Sequence, residues 1–476
     1  MSDTPSKLAS IFELLRLSDI YREICDLYLQ QKRPWVIGYS GGKDSTTALQ
    51  LIWKALERLS IEERNRYPVY VIASDTKVET PVIVDYIDKT LERINMAAET
   101  SQMPFRAEKV VPTLNDGFWV NLIGRGYPAP TTRFRWCTER MKINPANRFI
   151  EEKVSQQGEV IMVLGVRKAE SATREQLMNT YQVRGHLLRR HASLRGAYVY
   201  APIADFSTDD VWTYLFQVPS PWGNNNRDLA ALYRNASAGE CPLVIDTSTA
   251  SCGNSRFGCW VCTVATRDSS MEALIDNGEE WMEPLLAFRQ WLYETTDPDR
   301  KREYRDIKGR DGRVVLKKDG TPAARTYKLE VSKQMIERLL NIQEQVLAKS
   351  PDPDLELISK DEILEIRRIW RTERQDWEDS VPTIYRQVTG KDLDWPVDDN
   401  GSFDASHKAL LESLCKEQDV PFELLAKMLE AERQSDGMAR RAEIQKRLTF
   451  ILHEEWRGEQ DIVGEAKEVT YVQRIL

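Results

Sequence analysis

Residues 35–39, Trp-Val-Ile-Gly-Tyr, run directly into Ser40-Gly41-Gly42-Lys43-Asp44-Ser45 and then into an apolar-periodic segment, Thr46–Leu59. A short apolar run reads as a buried strand, and a following segment with period 3.6 reads as a helix. Two glycines at the junction let the backbone turn sharply and approach another group closely. The alternation recurs. Tyr67–Ser74, Phe105–Val111, Val160–Gly165 and Tyr198–Ile203 read as strands, while residues 8–33, Pro81–Met96 and the stretch around Pro145–Val154 read as helices. This pattern predicts an α/β fold, a doubly wound parallel sheet with helices on both faces. Ligands on such sheets sit at the carboxyl ends of the strands. Ser40–Ser45 and Ser74-Asp75-Thr76 both fall there.

The first of these junctions has phosphate-binding chemistry. Ser40 and Ser45 offer hydroxyls, Lys43 a charge, and the helix start points N–H groups at an anion. An ordinary tight turn with a serine cap is the plainer alternative. The spacing G-x-x-x-x-G-K-[ST] is absent, so the loop is not of the Walker A type.

The chain has 476 residues, enough for two or three domains. Its division is expected at 1–270 for the α/β domain with a cysteine-rich segment, 271–330 for a connection, and 331–476 for a helical region. Two Asp-Gly pairs in 305–330 suggest a β-ribbon in the connection. Residues 331–349, 360–388, 405–433 and 438–458 are amphipathic and rich in Glu, Arg, Leu and Ile. Net charge is −8, yet residues 121–200 carry 14 basic and 6 acidic side chains. An acidic total therefore does not exclude a polyanionic ligand. His186, His191 and the arginines around them, Arg184, Arg189, Arg190 and Arg195, form a candidate phosphate- or DNA-contacting strip, with a solvated loop as the alternative. No run of 18 apolar residues and no signal peptide are apparent, which leads to the expectation of a cytoplasmic protein without membrane association.

Seven cysteines are present, and four of them, Cys241, Cys252, Cys259 and Cys262, lie within 22 residues. Such a set can bind zinc or an iron–sulfur cluster as four thiolates. Zinc ribbons usually show two CxxC pairs, and here there is one. Cys137 has Arg133, Arg135, Arg140 and Lys142 within five residues, a setting that favours thiolate. It is open as a persulfide carrier or as a fifth candidate ligand. Cys25 and Cys415 fall in helical patterns and read as ordinary thiols.

Four ordered motifs carry a family resemblance. Ser40–Ser45 resembles the signature of the PP-loop ATP pyrophosphatases. Asp75-Thr76-Lys77-Val78-Glu79-Thr80, Gly165-Val166-Arg167 through Ser171 with Arg174, and Pro202 with Asp209–Trp212 and Tyr214 resemble the PAPS reductase branch. With Cys137 in RFRWCTERMK and the segment CGNSRFGCWVCTV, residues 10–270 resemble the DndC-type sulfurtransferases of DNA phosphorothioation.

The resemblance implies a catalytic Lys43, Asp44 and Cys137. It implies a nucleotide site of Ser40, Gly41, Gly42, Lys43, Asp44, Ser45, Asp75, Gly165 and Arg167. It also implies ATP cleaved to AMP and pyrophosphate, Mg²⁺ on Asp44 and Asp75, and a [4Fe-4S] cluster on Cys241, Cys252, Cys259 and Cys262, with zinc as the lesser alternative. The implied partners are a cysteine desulfurase as sulfur donor, other Dnd-type proteins, and DNA as substrate. A tRNA thiolation enzyme and a PAPS or APS reductase share the same parts. A non-catalytic DNA-binding or assembly component is the alternative outside enzymology.

Overall fold

The computed structural model describes residues 10–170, 187–191, 193–235, 258–396, 403–435, 442–459, 461–462 and 464. The chain divides into two compact units, residues 1–113 with 130–286, and residues 114–129 with 287–476. This differs from a linear cut near residue 270. The stretch 114–129 leaves the first unit and belongs to the second.

The first unit is built on a six-stranded sheet. Its strands are β1 Trp35–Gly38, β2 Val69–Ser74, β3 Phe105–Val110, β4 Val160–Val163, β5 Arg189–Arg190 and β6 Ala197–Tyr200, in the order β3-β2-β1-β4-β6-β5. All neighbours are parallel except β5, which pairs antiparallel with β6. Trp35 registers with Val69 on one side and with Ile161 on the other. β1 is buried along its whole length, as a central parallel strand must be. β3 alternates with exposed Arg106, Glu108 and Lys109, which suits a charged edge.

Six helices concern the site: α1 Leu17–Gln31, α2 Lys43–Leu56, α3 Pro81–Thr100, α4 Asn144–Gln157, α5 Thr208–Gln217 and α6 Asn226–Asn235. Alternate residues of the strands face opposite layers. Trp35, Ile37, Val69, Val71, Ile161 and Val163 pack with Ile24, Tyr28, Leu49, Trp53, Ile87 and Leu91 of α1, α2 and α3. Val36, Tyr70, Ile72, Val160 and Met162 pack with Ala146, Phe149 and Ile150 of α4 on the other face. Trp53 stacks on Phe105 at 4.5 Å between ring centroids. The strand order runs outward in both directions from β1, so β1 and β4 adjoin at the switch point, the place where ligands bind on such sheets.

In the second unit, Val120–Gly124 form one wide helical turn. The indole of Trp370 donates to Ile123 O at 2.9 Å, and that of Trp119 donates to Leu357 O at 2.7 Å. Two segments that read as single helices are broken. One divides into Lys360–Glu373 and Ser380–Thr389, with Gln375 and Asp379 at positive φ between them. The other divides into Ala405–Gln418 and Phe422–Arg433, where Pro421 bars helical backbone at the preceding residue. The Asp-Gly turns place Gly312 and Gly320 at φ 69° and 76°. Around them stand isolated antiparallel bridges, Lys308 with Val314 and Leu316 with Pro322, rather than continuous strands. Among the described residues, no helix is long and apolar enough to cross a membrane.

Candidate functional site

The loop after β1 closes on itself before it meets anything else. Gly41 adopts φ 71°, which a residue with a side chain rarely takes. Ser45 Oγ accepts the N–H of Ser40 at 3.2 Å and lies 3.1 Å from Ser40 Oγ, while donating to Gly42 O at 3.0 Å. Gly42 precedes α2 without a side-chain cap, so the first N–H groups of the helix are not consumed by the loop's own side chains. Lys43, Asp44 and Ser45 are all buried.

Two further segments complete this end of the sheet. A Cβ on Gly165 would stand 2.7 Å from Asp44 C and O and 2.8 Å from Ser45 N, so only glycine lets the β4 loop come this close. Two residues on, Arg167 Nε donates to Asp44 Oδ1 at 2.7 Å, and Lys43 Nζ donates to Asp44 Oδ2 at 2.7 Å. Arg167 also donates to Thr208 Oγ1 at 3.2 Å, at the start of α5. From α6, Tyr233 Oη accepts the backbone N–H of Lys43 at 3.0 Å, and its ring lies 5.4 Å from Lys43 Nζ.

The expected nucleotide residues Ser40, Gly41, Gly42, Lys43, Asp44, Ser45, Gly165 and Arg167 therefore converge. Asp75 lies at the end of β2 with Lys77 Nζ at 3.4 Å and Lys109 Nζ at 3.5 Å. Both carboxylates expected to meet Mg²⁺, Asp44 and Asp75, are thus held by cations of the chain itself.

Beside Asp75 the cysteine segment returns to the sheet. Glu79 and Cys259 form an antiparallel bridge, Trp260 N donates to Val78 O at 3.0 Å, and Thr80 Oγ1 donates to Gly258 O at 3.2 Å. Thr76 Oγ1 stands 3.3 Å from Cys259 Sγ. Cys262 N donates to Cys259 O at 3.0 Å, which makes the CxxC a tight turn, and Thr263 Oγ1 donates to Pro130 O at 2.6 Å. Burial pushes the Cys259 thiol well up. Lys142 pulls it down, and Glu79 and the neighbouring Cys137 push it up further. Burial likewise raises Glu79, against Lys142 at 3.5 Å. Cys137 and the CxxC turn thus share one electrostatic neighbourhood, near the carboxyl end of β2.

Cys241 and Cys252 lie outside the described residues. Among the described residues no three His, Cys, Asp or Glu side chains converge as metal ligands. The donors that are described, Cys259 and Cys262 on one turn with a cation nearby, fit thiolate coordination in kind. Of the candidate anion strip, Arg184 and His186 lie outside the described residues. His191 Nδ1 accepts the Leu194 N–H at 3.0 Å, and burial lowers its pKa. Cys25 and Cys415 are buried thiols.

Sequence reasoning missed Tyr233, Thr208 and the pairing of Lys142 with Glu79. Lys142 was visible as one of the cations near Cys137, but neither Tyr233 nor Thr208 carries a local signal, because each meets the loop only through folding.

The model of the phosphoadenosine phosphosulfate reductase domain matches residues 34–265. That of a small protein found in certain Dnd DNA modification systems matches residues 408–453. Residues 34–265 thus carry a PAPS reductase domain of the PP-loop superfamily, and residues 408–453 match a Dnd-system small protein, which together support a DndC-type chain. An uncharacterised protein of Methanocaldococcus jannaschii is 26% identical over 199 residues, 42% of this chain and 35% of that protein. The chain thus spans about a third of the curated relative it matches. Among solved structures, a phosphoadenylyl-sulfate reductase from Candida auris in a phosphate complex covers 45% of this chain and 90% of its own. Its identity is 13% and its TM-score 0.28. The U34-tRNA thiolase of Methanococcus maripaludis with its [4Fe-4S] cluster covers 59% and 79%, at 14% identity and TM-score 0.28. The matched span includes Ser40–Ser45, the expected PP-loop, and Gly165–Arg167, which packs against it.

Proposed function

We propose that this DndC-type chain is a sulfurtransferase that cleaves ATP to AMP and pyrophosphate and uses the adenylate to activate a DNA backbone phosphate for sulfur insertion. The observation that carries the reading is the meeting of the PP-loop with Gly165 and Arg167, on the same sheet end that receives the CxxC turn. ATP phosphates would lie along the PP-loop, with Lys43 and Arg167 supplying positive charge where pyrophosphate leaves. Mg²⁺ would arrive with ATP, and Asp44 and Asp75 are its candidate protein ligands once their ion pairs open. A non-bridging oxygen of the DNA phosphodiester attacks the α-phosphorus, and the bond to pyrophosphate breaks. Sulfur at the sulfide level, supplied by a cysteine desulfurase with a thiol reductant, then bonds to the DNA phosphorus, and AMP leaves. The activation is needed because an unmodified phosphodiester oxygen is a very poor leaving group.

Cys241, Cys252, Cys259 and Cys262 are the proposed ligands of a [4Fe-4S] cluster, with zinc as the rival occupant; such a cluster would supply a binding point for sulfur. Lys142 stabilises thiolate in this neighbourhood, and Cys137 is the candidate persulfide carrier. The Dnd-related segment at 408–453 supports other Dnd-type proteins as partners.

The test is pyrophosphate release by the anaerobically purified chain, with iron, sulfide and zinc measured on the same sample. Lys43→Ala should abolish release and leave the iron content intact. Cys259→Ser or Cys262→Ser should remove iron. Turnover that survives Lys43→Ala would sink the loop assignment. Mass spectrometry of DNA and tRNA from cells with and without the gene separates backbone phosphorothioation from tRNA thiolation.

A further inference from the structure

The second unit contains a cavity of about 350 Å³, within the usual range for small-ligand sites, that the reading above does not use. Seven Lys and Arg and five Asp and Glu line it. Most of the acids are already neutralised. Lys308 pairs with Glu423 at 3.5 Å and Lys427 with Glu454 at 2.5 Å. Glu430 pairs with Arg433 at 2.7 Å and Glu373 with Arg368 at 3.8 Å. Arg125, Arg310, Lys328, Arg374 and Arg447 complete the basic lining; the charge of Glu373 reaches Arg125 and Arg374, and that of Asp306 reaches Arg374.

These five cations are held by neutral oxygens among the described residues. Arg125 donates to Asn115 Oδ1 at 2.7 Å, Arg310 to Tyr127 Oη at 2.5 Å, and Arg447 to Gln434 Oε1 at 2.6 Å. Arg374 donates to Tyr327 O at 2.6 Å and Ser332 Oγ at 2.8 Å, and Lys328 donates to Glu303 O at 3.1 Å. Neutral acceptors fix the guanidinium groups in place without cancelling their charge. Burial lowers the pKa of Arg374 to about 10 against the pull of nearby acids, and burial lowers that of Arg125, with Glu373 opposing the shift and Arg310 adding to it. Arg125 and Arg310 repel one another, and an arriving anion relieves the repulsion. Guanidinium forks match phosphate oxygens in both charge and geometry. Phe450 also lines the cavity and is 51% exposed, a surface on which a base can stack.

We infer that this cavity binds a phosphate-bearing ligand, a free nucleotide or the backbone of a single-stranded nucleic acid, through Arg125, Arg310, Arg374 and Arg447. The inference is independent of the PP-loop reading. Arg447 and Phe450 belong to the segment that matches the Dnd-system small protein, which gives that segment a ligand-binding task.

The experiment uses the full chain carrying Lys43→Ala, which weakens the PP-loop site, and the arginine variants separate the two sites. One probe is a fluorescein-labelled DNA strand of about 12 nucleotides, read by anisotropy. The other is AMP, read by calorimetry and as a competitor of the strand. Binding of either probe is expected, and adding Arg310→Ala and Arg447→Ala, both exposed positions, should weaken it about tenfold or more. The slope of log affinity against log salt for the strand should become shallower by about 1.4, for two lost phosphate contacts. Strand binding that AMP does not displace assigns the backbone, and AMP binding that displaces the strand assigns a nucleotide. Failure of the Lys43→Ala chain to bind either probe would overturn the inference. So would undiminished affinity in the arginine variant with an unchanged circular dichroism spectrum.

Discussion

The backbone N–H of Lys43 donates to the phenol oxygen of Tyr233 across 3.0 Å, joining residues 190 apart in the chain. The same oxygen would stand 2.9 Å from a Cβ on Gly42. A tyrosine thus occupies an amide at the start of the PP-loop helix, where N–H groups serve anions. A phosphate that uses this amide must displace the phenol. Tyr233→Phe removes the competing acceptor, which is worth about 1 kcal/mol for a neutral hydrogen bond. ATP binding to the variant, measured by calorimetry, should tighten roughly fivefold. Weaker binding would mean that Tyr233 contacts the nucleotide rather than standing in its place.

Arg167 and Lys43 together neutralise Asp44, and all three side chains are nearly dry. Removing Arg167 leaves the buried carboxylate with one cation. Arg167→Ala should cost ~3 kcal/mol in denaturant unfolding, the lower end for breaking a buried ion pair. Pyrophosphate release should fall with it. A loss of activity at unchanged stability would show that Arg167 serves the substrate alone.

Gly165 has no room for a methyl group against the backbone of Asp44 and Ser45. Neither neighbour can rotate away as a side chain could. Gly165→Ala should therefore push the two loops apart, at a cost of about 1–3 kcal/mol for overpacking. A variant with a wild-type melting temperature and full turnover would refute the close approach.

Glu159 accepts from Arg33 Nε at 2.8 Å and from Tyr198 Oη at 3.0 Å, near the sheet end opposite the PP-loop. The Arg33 hydrogen bond holds its pKa below the ordinary value, outweighing desolvation. A carboxyl with a depressed folded-state pKa contributes stability above its unfolded pKa of about 4.3, and that contribution is lost as pH falls further. The group is partly exposed, so the contribution is at most ~1 kcal/mol. Glu159→Gln should lower stability at pH 7 and flatten the acid limb of the stability curve below about pH 4.3. Parallel acid limbs in both proteins would contradict this.

Much of the first unit was legible because its signals are local. Trp35–Gly38, Val69–Ser74 and Phe105–Val110 are strands close to where their apolar runs put them, and the phosphate-loop chemistry of Ser40–Ser45 lies in consecutive residues. The broken helices in the second unit were harder to read. Amphipathic periodicity continues through Gln375 and Asp379, although the backbone there takes positive φ. Residues 114–129 were misplaced, since nothing in their composition announces that Trp119 and Ile123 bond with Leu357 and Trp370.

From the order of residues alone came the strand–loop–helix grammar, the glycine-lined phosphate turn and the thiols of the CxxC. Period and turn chemistry are properties of near neighbours, so they survive without a fold. Tertiary packing decided that Arg167 meets Asp44, that Tyr233 caps Lys43, and that Cys259 returns beside Glu79 near Cys137. Those meetings depend on the outward strand order from β1 and on burial across both sheet faces. These are interactions between distant residues, whose free energy no local pattern records.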